Sequence, residues 1–275
     1  MKTMIFAAGL GTRLKPITDI LPKALVPVCG RPLIEHVALK LKAAGVNEAV
    51  VNVHHFADKI EDWIAGQDIM PMNVSDERAM LLETGGGILH ARPYLEGCGS
   101  FLVHNVDILS DLDIGWFESQ VRPDALATLL VSDRRSSRYL LFDPQTMRLA
   151  GWTNVSTGEV RSPYLEAEYV PEAVAGSDGA FDPSRCLRLA FSGIHILSDK
   201  VFDVMQEYVH RAGIRHEDAG AECPLRFPIM DFYLSVCGTC NIYGVAAKEL
   251  KLIDVGKLDT LEQAEKIATS LRSSQ

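Results

Sequence analysis

Over the first ~110 residues, short apolar runs alternate with amphipathic stretches, and this alternation restricts the chain to a sheet covered by helices. Met4, Ile5 and Phe6 read as a short buried strand. Pro32 at a first helical turn and Gly45 past the end bracket a helix, with Leu33, Val37, Leu41 and Ala44 on one face. Residues 49–53 form a β-branched strand. Residues 57–65 form a second helix, with Ile60 and Ile64 on one face and Gly66 at its end. Residues 72–75 suit a short strand, and 101–103 a buried one that runs into polar Asn105 and Asp107. Strand and helix in this order give a parallel sheet with helices on both faces. A chain of 275 residues with 47% hydrophobic content can bury the core this needs.

The second part changes character. Residues 125–131, 139–142, 148–152 and 187–196 read as strands, with turn signals at Asp143-Pro144 and Thr157-Gly158. Residues 161–186 read as a long loop. Amphipathic helices are expected at 199–211 and 228–236, and a last helix at 259–271. The expected fold is α/β, a mixed and mostly parallel sheet flanked by helices, with a smaller β-rich lobe. One compact unit is expected, with a first half at 1–113, a second half at 114–258 and a C-terminal helix and tail at 259–275.

The strand at 4–6 empties into Ala7-Ala8-Gly9-Leu10-Gly11-Thr12-Arg13-Leu14 and then a proline-rich stretch through Lys23 to Val28. Gly9 and Gly11 let the backbone turn and approach a ligand closely. Thr12 adds a hydroxyl donor. Arg13 suits a forked grip on phosphate oxygens and Lys23 a point charge. The run is not a P-loop, because Gly-x-x-x-x-Gly-Lys-Ser/Thr is missing. Nor is it a dinucleotide fingerprint, because Leu14 stands at the third glycine and Pro16 follows where a helix would run.

Two aspartates stand at strand ends. Asp107 follows residues 101–106, at the rim where open α/β sheets bind ligands, and Asp254 follows Lys251-Leu252-Ile253. Two carboxylates with substrate phosphates and waters make a magnesium site. Cys237-Gly238-Thr239-Cys240 is a lone CxxC without a second pair, and Cys29, Cys98, Cys186 and Cys223 are scattered. Six cysteines in a chain this long do not form a disulfide framework, which points to a reducing cytoplasm. The net charge of −9 argues against nucleic-acid and anionic-membrane partners.

The loop resembles the signature of the sugar-1-phosphate nucleotidylyltransferases, with every signature position filled and Ile17 as a conservative variant. Asp254-Val255-Gly256 is similar to that family's later Asp-Val-Gly motif, and Phe191-Ser192-Gly193-Ile194 to its sugar-side strand. One departure is Val106, where the family commonly has glycine before the metal aspartate. The short bacterial hexose-1-phosphate and N-acetylmuramate-1-phosphate enzymes are the most similar. The resemblance implies a Rossmann-like fold of the nucleotide-diphospho-sugar transferase type. It implies Mg²⁺ on Asp107 and Asp254, and catalysis by Arg13, Lys23 and Asp107. It places the nucleotide on Ala8, Gly9, Leu10, Gly11, Thr12, Arg13, Lys23, Glu77, Gly85 and Asn105. In Glu83-Thr84-Gly85-Gly86-Gly87 the glycines are expected to leave backbone groups open to a flat base. Ser192 and Gly193 are expected at the sugar.

The reaction implied is NTP plus sugar-1-phosphate giving NDP-sugar and pyrophosphate, run by a monomer or small homo-oligomer. Transfer to phosphocholine or another small phosphate keeps the same fold. A catalytically inactive nucleotide-binding regulator is the reading from a different class. It is disfavoured because Arg13, Lys23 and both aspartates are present.

Overall fold

The computed structural model describes residues 1–213, 225–247 and 249–272, with side chains described as far as residue 266 of the last helix; Cys223 lies outside the described residues. Strand β1 (Lys2–Phe6) opens the chain. A loop of three single-turn 3-10 helices follows, and then a small hairpin of β2 (Pro27–Val28) and β3 (Arg31–Pro32). Next come α1 (Leu33–Ala43), β4 (Ala49–Val53), α2 (Ala57–Gly66), β5 (Met72–Asp76), α3 (Glu83–His90), α4 (Arg92–Leu95) and β6 (Ser100–Asn105). Strand β7 (Ile108–Ser110) and α5 (Ile114–Ser119) end the first half. The second half contains β8 (Ala127–Ser132), β9 (Arg138–Phe142), β10 (Leu149–Asn154), β11 (Glu159–Arg161) and β12 (Leu187–Ser198). It closes with α6 (Val201–Arg211), α7 (Ile229–Val236), β13 (Ile242–Ala246), β14 (Leu252–Asp254) and α8 (Leu258–Arg272).

Strands β5, β4, β1 and β6 pair in parallel, in that spatial order. Strand β12 then runs antiparallel to β6, and β9, β10, β11 and β8 hang on it; β13 pairs in parallel with β8. The sheet is therefore mixed and continuous across both halves.

Side-chain alternation along the central strands feeds two cores. Ile5, Val51 and Leu102 pack with α1, α2 and α8, whereas Met4, Val50 and Val103 pack with α3, α4, α6 and α7. Strand β4 is buried along its whole length, which explains its near-continuous apolar sequence. Helix α1 buries Leu33, Ile34, Val37, Ala38 and Leu41, and carries Glu35 in its first turn and Lys40 and Lys42 in its last, in accord with the helix dipole.

Several features differ from the sequence reading. Strand β13 was not expected; it is a short segment whose strand partner, β8, lies more than a hundred residues earlier. The pair β7 and β14 is likewise a three-residue ladder between distant segments. Residues 161–186 are no structureless loop. They contain two 3-10 turns, Glu172–Val174 and Pro183–Arg185, and bury Val174, Phe181 and Cys186 against Leu141 and Ala150 as a small third core. Among the described residues no helix is long and apolar enough to cross a membrane.

Candidate active site

The parallel neighbours β1 and β6 end level with each other, Phe6 opposite Asn105, and Val106 N–H closes onto Phe6 O at 3.1 Å. A cavity of about 380 Å³ opens on this carboxyl rim. Of the expected residues, Ala8, Gly9, Lys23, Asn105 and Asp107 line it. Asn52, Leu81, Glu83 and Thr84 line it as well.

Gly11 is what lets the loop close. It adopts φ 63°, and a Cβ there would lie 2.9 Å from Thr18 Cγ2 and 3.0 Å from Lys23 Cβ. Thr18 Oγ1 donates to Gly11 O at 2.8 Å, which folds the stretch back on itself. Leu14 and Ala24 are buried anchors on either side. Lys23 is thereby held 9% exposed, paired with Asp107 Oδ2.

The β7–β14 ladder places Asp254 opposite Ile108, and Val255 N–H donates to Asp107 O at 2.8 Å. Two carboxylates distant in sequence thus stand side by side. Burial, followed by repulsion from Asp107, pushes the Asp254 carboxyl above the ordinary range, against the pull of Lys23 and Arg13. Its Oδ1 is buried without a hydrogen-bond partner. A Cβ on Gly256 would lie 2.7 Å from that oxygen and 2.9 Å from Arg13 Nη2, so Arg13 reaches this same corner. A buried, unpartnered carboxylate oxygen beside a second carboxylate is a hard-oxygen donor set, and it fits Mg²⁺ completed by phosphates and water.

Asn52 on the wall and Glu77 behind it form a support that the sequence did not reveal. Asn52 Oδ1 accepts from Ala7 N–H at 2.8 Å and Ala8 N–H at 3.3 Å, while its Nδ2 donates to Glu77 Oε1 at 2.7 Å. Glu77 Oε2 accepts from Leu82 N–H at 3.0 Å. Glu77 was expected to touch the nucleotide. It is instead 2% exposed and absent from the cavity wall, and it ties the signature loop to the 81–84 wall; burial pushes its carboxyl up. The signal available was Asn52, a lone polar residue in an otherwise apolar strand.

The glycine run also differs from expectation. Gly85 and Gly86 both give their N–H groups to Phe227 O, at 2.9 and 3.1 Å. A Cβ on Gly85 would meet the Phe227 ring at 2.3 Å, and one on Gly86 would meet Leu225 O at 2.1 Å. These glycines admit the 225–227 segment, so their N–H groups are not open to a base. The preceding Glu83 adopts φ 62° and is tied to Arg226 at 2.8 Å.

Leu10 and Thr12 are exposed and lie off the cavity wall. Ser192 and Gly193 occupy an irregularity in β12 where pairing with β8 shifts register. Gly193 has φ 74°, and a Cβ on it would lie 2.8 Å from Asn105 Nδ2, so this strand abuts the cavity from the far side. Ser192 is buried and its Oγ has no partner. Cys237 is buried and Cys240 partly so, and burial pushes the Cys237 thiol up to about 12. Both buried imidazoles stay neutral: burial lowers His104 to about 4 and His195 to about 3.

Residues 3–148 match the model of the MobA-like NTP transferase domain family. The chain is 49% identical over 108 residues to an N-acetylmuramate alpha-1-phosphate uridylyltransferase of Caulobacter vibrioides, covering 38% of this chain and 44% of that protein. It is 45% identical over 115 residues to the protein of that name from Neisseria meningitidis, covering 41% and 49%. The matched parts thus span about half or less of those relatives. Among solved structures, HddC from Yersinia pseudotuberculosis superposes with a TM-score of 0.69 at 22% identity, covering 97% of this chain and 99% of that one. A glucose-1-phosphate thymidylyltransferase described as putative, from Bacillus anthracis, gives 0.70 at 19%, covering 98% and 95%. At these identities the structural likeness concerns the fold, which is the Rossmann-like one expected.

Proposed function

The chain belongs to the MobA-like NTP transferase domain family, and from that premise we propose that it transfers a nucleotidyl group from an NTP to a sugar-1-phosphate, releasing pyrophosphate. The observation that carries this reading is the convergence of Lys23, Asp107, Asp254 and Arg13 at the mouth of a cavity walled by the phosphate loop.

An oxygen of the sugar phosphate attacks the α-phosphorus. The bond from that phosphorus to the bridging oxygen breaks, and pyrophosphate leaves with the electron pair. A phosphate monoester has a second pKa near ~6 and is already largely dianionic at neutral pH, so no protein base is needed. That suits a site whose charged groups are cations and carboxylates, with His104 and His195 buried and neutral. Catalysis is then positioning and charge neutralisation.

Arg13 holds the β- and γ-phosphates and the departing pyrophosphate. Lys23 neutralises the α-phosphate and the incoming phosphate. The backbone of Ala8, Gly9 and Gly11 carries the triphosphate, Asn105 and Thr84 bound the nucleoside, and Gly193 with Ser192 faces the sugar. Asp107 and Asp254 would hold Mg²⁺. When bound, the ion supplies Lewis-acid neutralisation of the phosphoryl oxygens. Residues 1–113 serve the nucleotide and 114–258 the acceptor. Scattered cysteines with no framework of paired spacings suit a reducing cytoplasm. The uridylyltransferase relatives make UTP and N-acetylmuramate-1-phosphate the first pair to try.

A pyrophosphate-release screen with Mg²⁺ tests the reading. It crosses the four NTPs and dTTP with mannose-, glucose-, N-acetylglucosamine-, N-acetylmuramate- and heptose-1-phosphates, plus phosphocholine. Release that requires one NTP and one sugar-1-phosphate together is expected. Release only with phosphocholine, or binding of NTP without release across the panel, would contradict it.

A further inference from the structure

Of the three cations in the signature loop, Lys23 is the one bonded to the carboxylate corner. Its Nζ donates to Asp107 Oδ2. Lys15 pairs with Asp19 at 2.9 Å, and among the described residues Arg13 makes no ion pair. The root of the Lys23 side chain is fixed. Lys23 opens a 3-10 turn through Leu25, Leu25 N–H donates to Pro22 O at 2.9 Å, and Ala24 is fully buried. The Lys23 side chain is 11% exposed and the Asp107 side chain 17%. The ammonium therefore stays at the corner, where bulk water and salt screen it little. Lys23 also lines the cavity, so the same ammonium faces a phosphate bound there.

This placement sets a charge balance. Asp107 and Asp254 offer a divalent cation two carboxylates, and Lys23 offsets one of them. A cation entering alone would share Asp107 with an ammonium at contact distance, and like charges this close in a half-buried site repel strongly. A triphosphate changes the balance, because its oxygens give Lys23 a second acceptor and add negative charge. We propose that Lys23 gates the carboxylate pair: it holds Asp107 against a bare divalent cation and yields it once an NTP phosphate takes its ammonium. The metal is then loaded with the nucleotide and not ahead of it, and by linkage each strengthens the other's binding. Lys suits a gate because its ammonium is a compact charge on a flexible four-carbon stem, able to swing between two acceptors. The displacing phosphate rests on the nucleotidyl-transfer reading above; the pairing of Lys23 with Asp107 does not.

Mn²⁺ is the probe, and electron paramagnetic resonance counts the free ion over the full-length protein without nucleotide. Only the binding that Asp107→Asn abolishes is scored, which sets aside the surface carboxylates of a chain of net charge −9. Lys23→Met and Lys23→Gln should each tighten that binding by ~10-fold or more, the low end of coupling between close charges. Lys23→Arg keeps the charge and should stay within ~3-fold of wild type. A role of Lys23 in folding alone would weaken the site instead. On the nucleotide side, Mg²⁺ should tighten binding of α,β-methylene-UTP by a factor ~10-fold larger in wild type than in Lys23→Met; metal–nucleotide pairing in solution is common to both and cancels. Mn²⁺ binding unchanged or weaker in both neutral variants would overturn the proposal, and so would an equal Mg²⁺ effect on the analogue in wild type and Lys23→Met. Absence of NDP-sugar with every acceptor would instead defeat the reading above, and the Mn²⁺ titrations would still decide the gate.

Discussion

Asn52 and Glu77 stand at the ends of neighbouring parallel strands, and their side chains lock across the gap: Asn52 Nδ2 donates to Glu77 Oε1 at 2.7 Å. Through this pair the first two residues of the signature loop are joined to Leu82, just before the wall formed by Glu83 and Thr84. The cavity is therefore braced by a polar pair of which Asn52 lines the wall and Glu77 stands behind it.

Replacing Asn52 by Ala strands the Ala7 N–H and the Glu77 carboxylate in a buried setting. Urea unfolding of Asn52→Ala should show a loss of ~1–3 kcal/mol, and KM for NTP should rise as the loop loosens. Glu77→Gln removes one acceptor and sets N–H groups against each other, so it should behave similarly. Stability within ~0.5 kcal/mol of wild type in both variants would show that the brace is unimportant.

The carboxylate pair sets stability against function. Burial and the Asp107 charge disfavour ionised Asp254, so Asp254→Asn relieves an unfavourable charge in the metal-free protein. Its thermal midpoint without Mg²⁺ should rise, while kcat should fall ~10²–10³-fold. Lys23→Met should lose a similar factor in kcat and also destabilise the metal-free fold, because it leaves Asp107 without its partner. Near-wild-type turnover in either variant would remove these residues from the mechanism.

Gly193 offers a steric test of the acceptor wall. Its φ is 74°, and a methyl group on its Cα would stand 2.8 Å from Asn105 Nδ2, which leaves no room for a side chain. Gly193→Ala should cost ~1–3 kcal/mol and raise KM for the acceptor more than for NTP. Equal effects on both substrates would place the strand elsewhere in the cycle.

The signature loop, α1 and β4 were legible because local chemistry decides them: glycine and proline punctuation, a 3.6-residue apolar stripe, and a β-branched run. The site corner was legible only as a motif. What brings Asp254 beside Asp107 is the β7–β14 ladder, three residues long on each side, and nothing within either segment marks the other as its partner. Strand β13 was missed for the same reason. The role of Gly85 and Gly86 depends on Phe227 and Leu225, some 140 residues away, so sequence reasoning gave the glycines to a base instead of to the chain.

Acid sensitivity should trace to the buried histidines. His195 shares a 2.6 Å hydrogen bond with the Tyr233 hydroxyl, and His104 bonds Asn105 O at 2.8 Å. Their folded-state values of about 3 and about 4 lie below the ordinary 6.5, so below pH 6.5 the unfolded chain binds protons that the folded one does not. Stability is then full above about 6.5 and falls on acidification, by ~1.4 kcal/mol per pH unit for each imidazole until the folded values are reached. Urea unfolding between pH 6 and 4.5 should show this slope, and His195→Gln should reduce it by ~1.4 kcal/mol per unit. An unchanged slope in the variant would assign the acid loss to other groups.

The central claim is the bond that is made. Phosphorus NMR of one mixture of protein, Mg²⁺, UTP and N-acetylmuramate-1-phosphate reads it directly, with the other acceptors and NTPs substituted in turn. The expected result is a new pair of coupled diphosphate doublets from NDP-sugar, growing in step with pyrophosphate and only when both substrates are present. Growth of inorganic phosphate and NDP, or an NTP spectrum unchanged with every acceptor, would contradict nucleotidyl transfer by this chain.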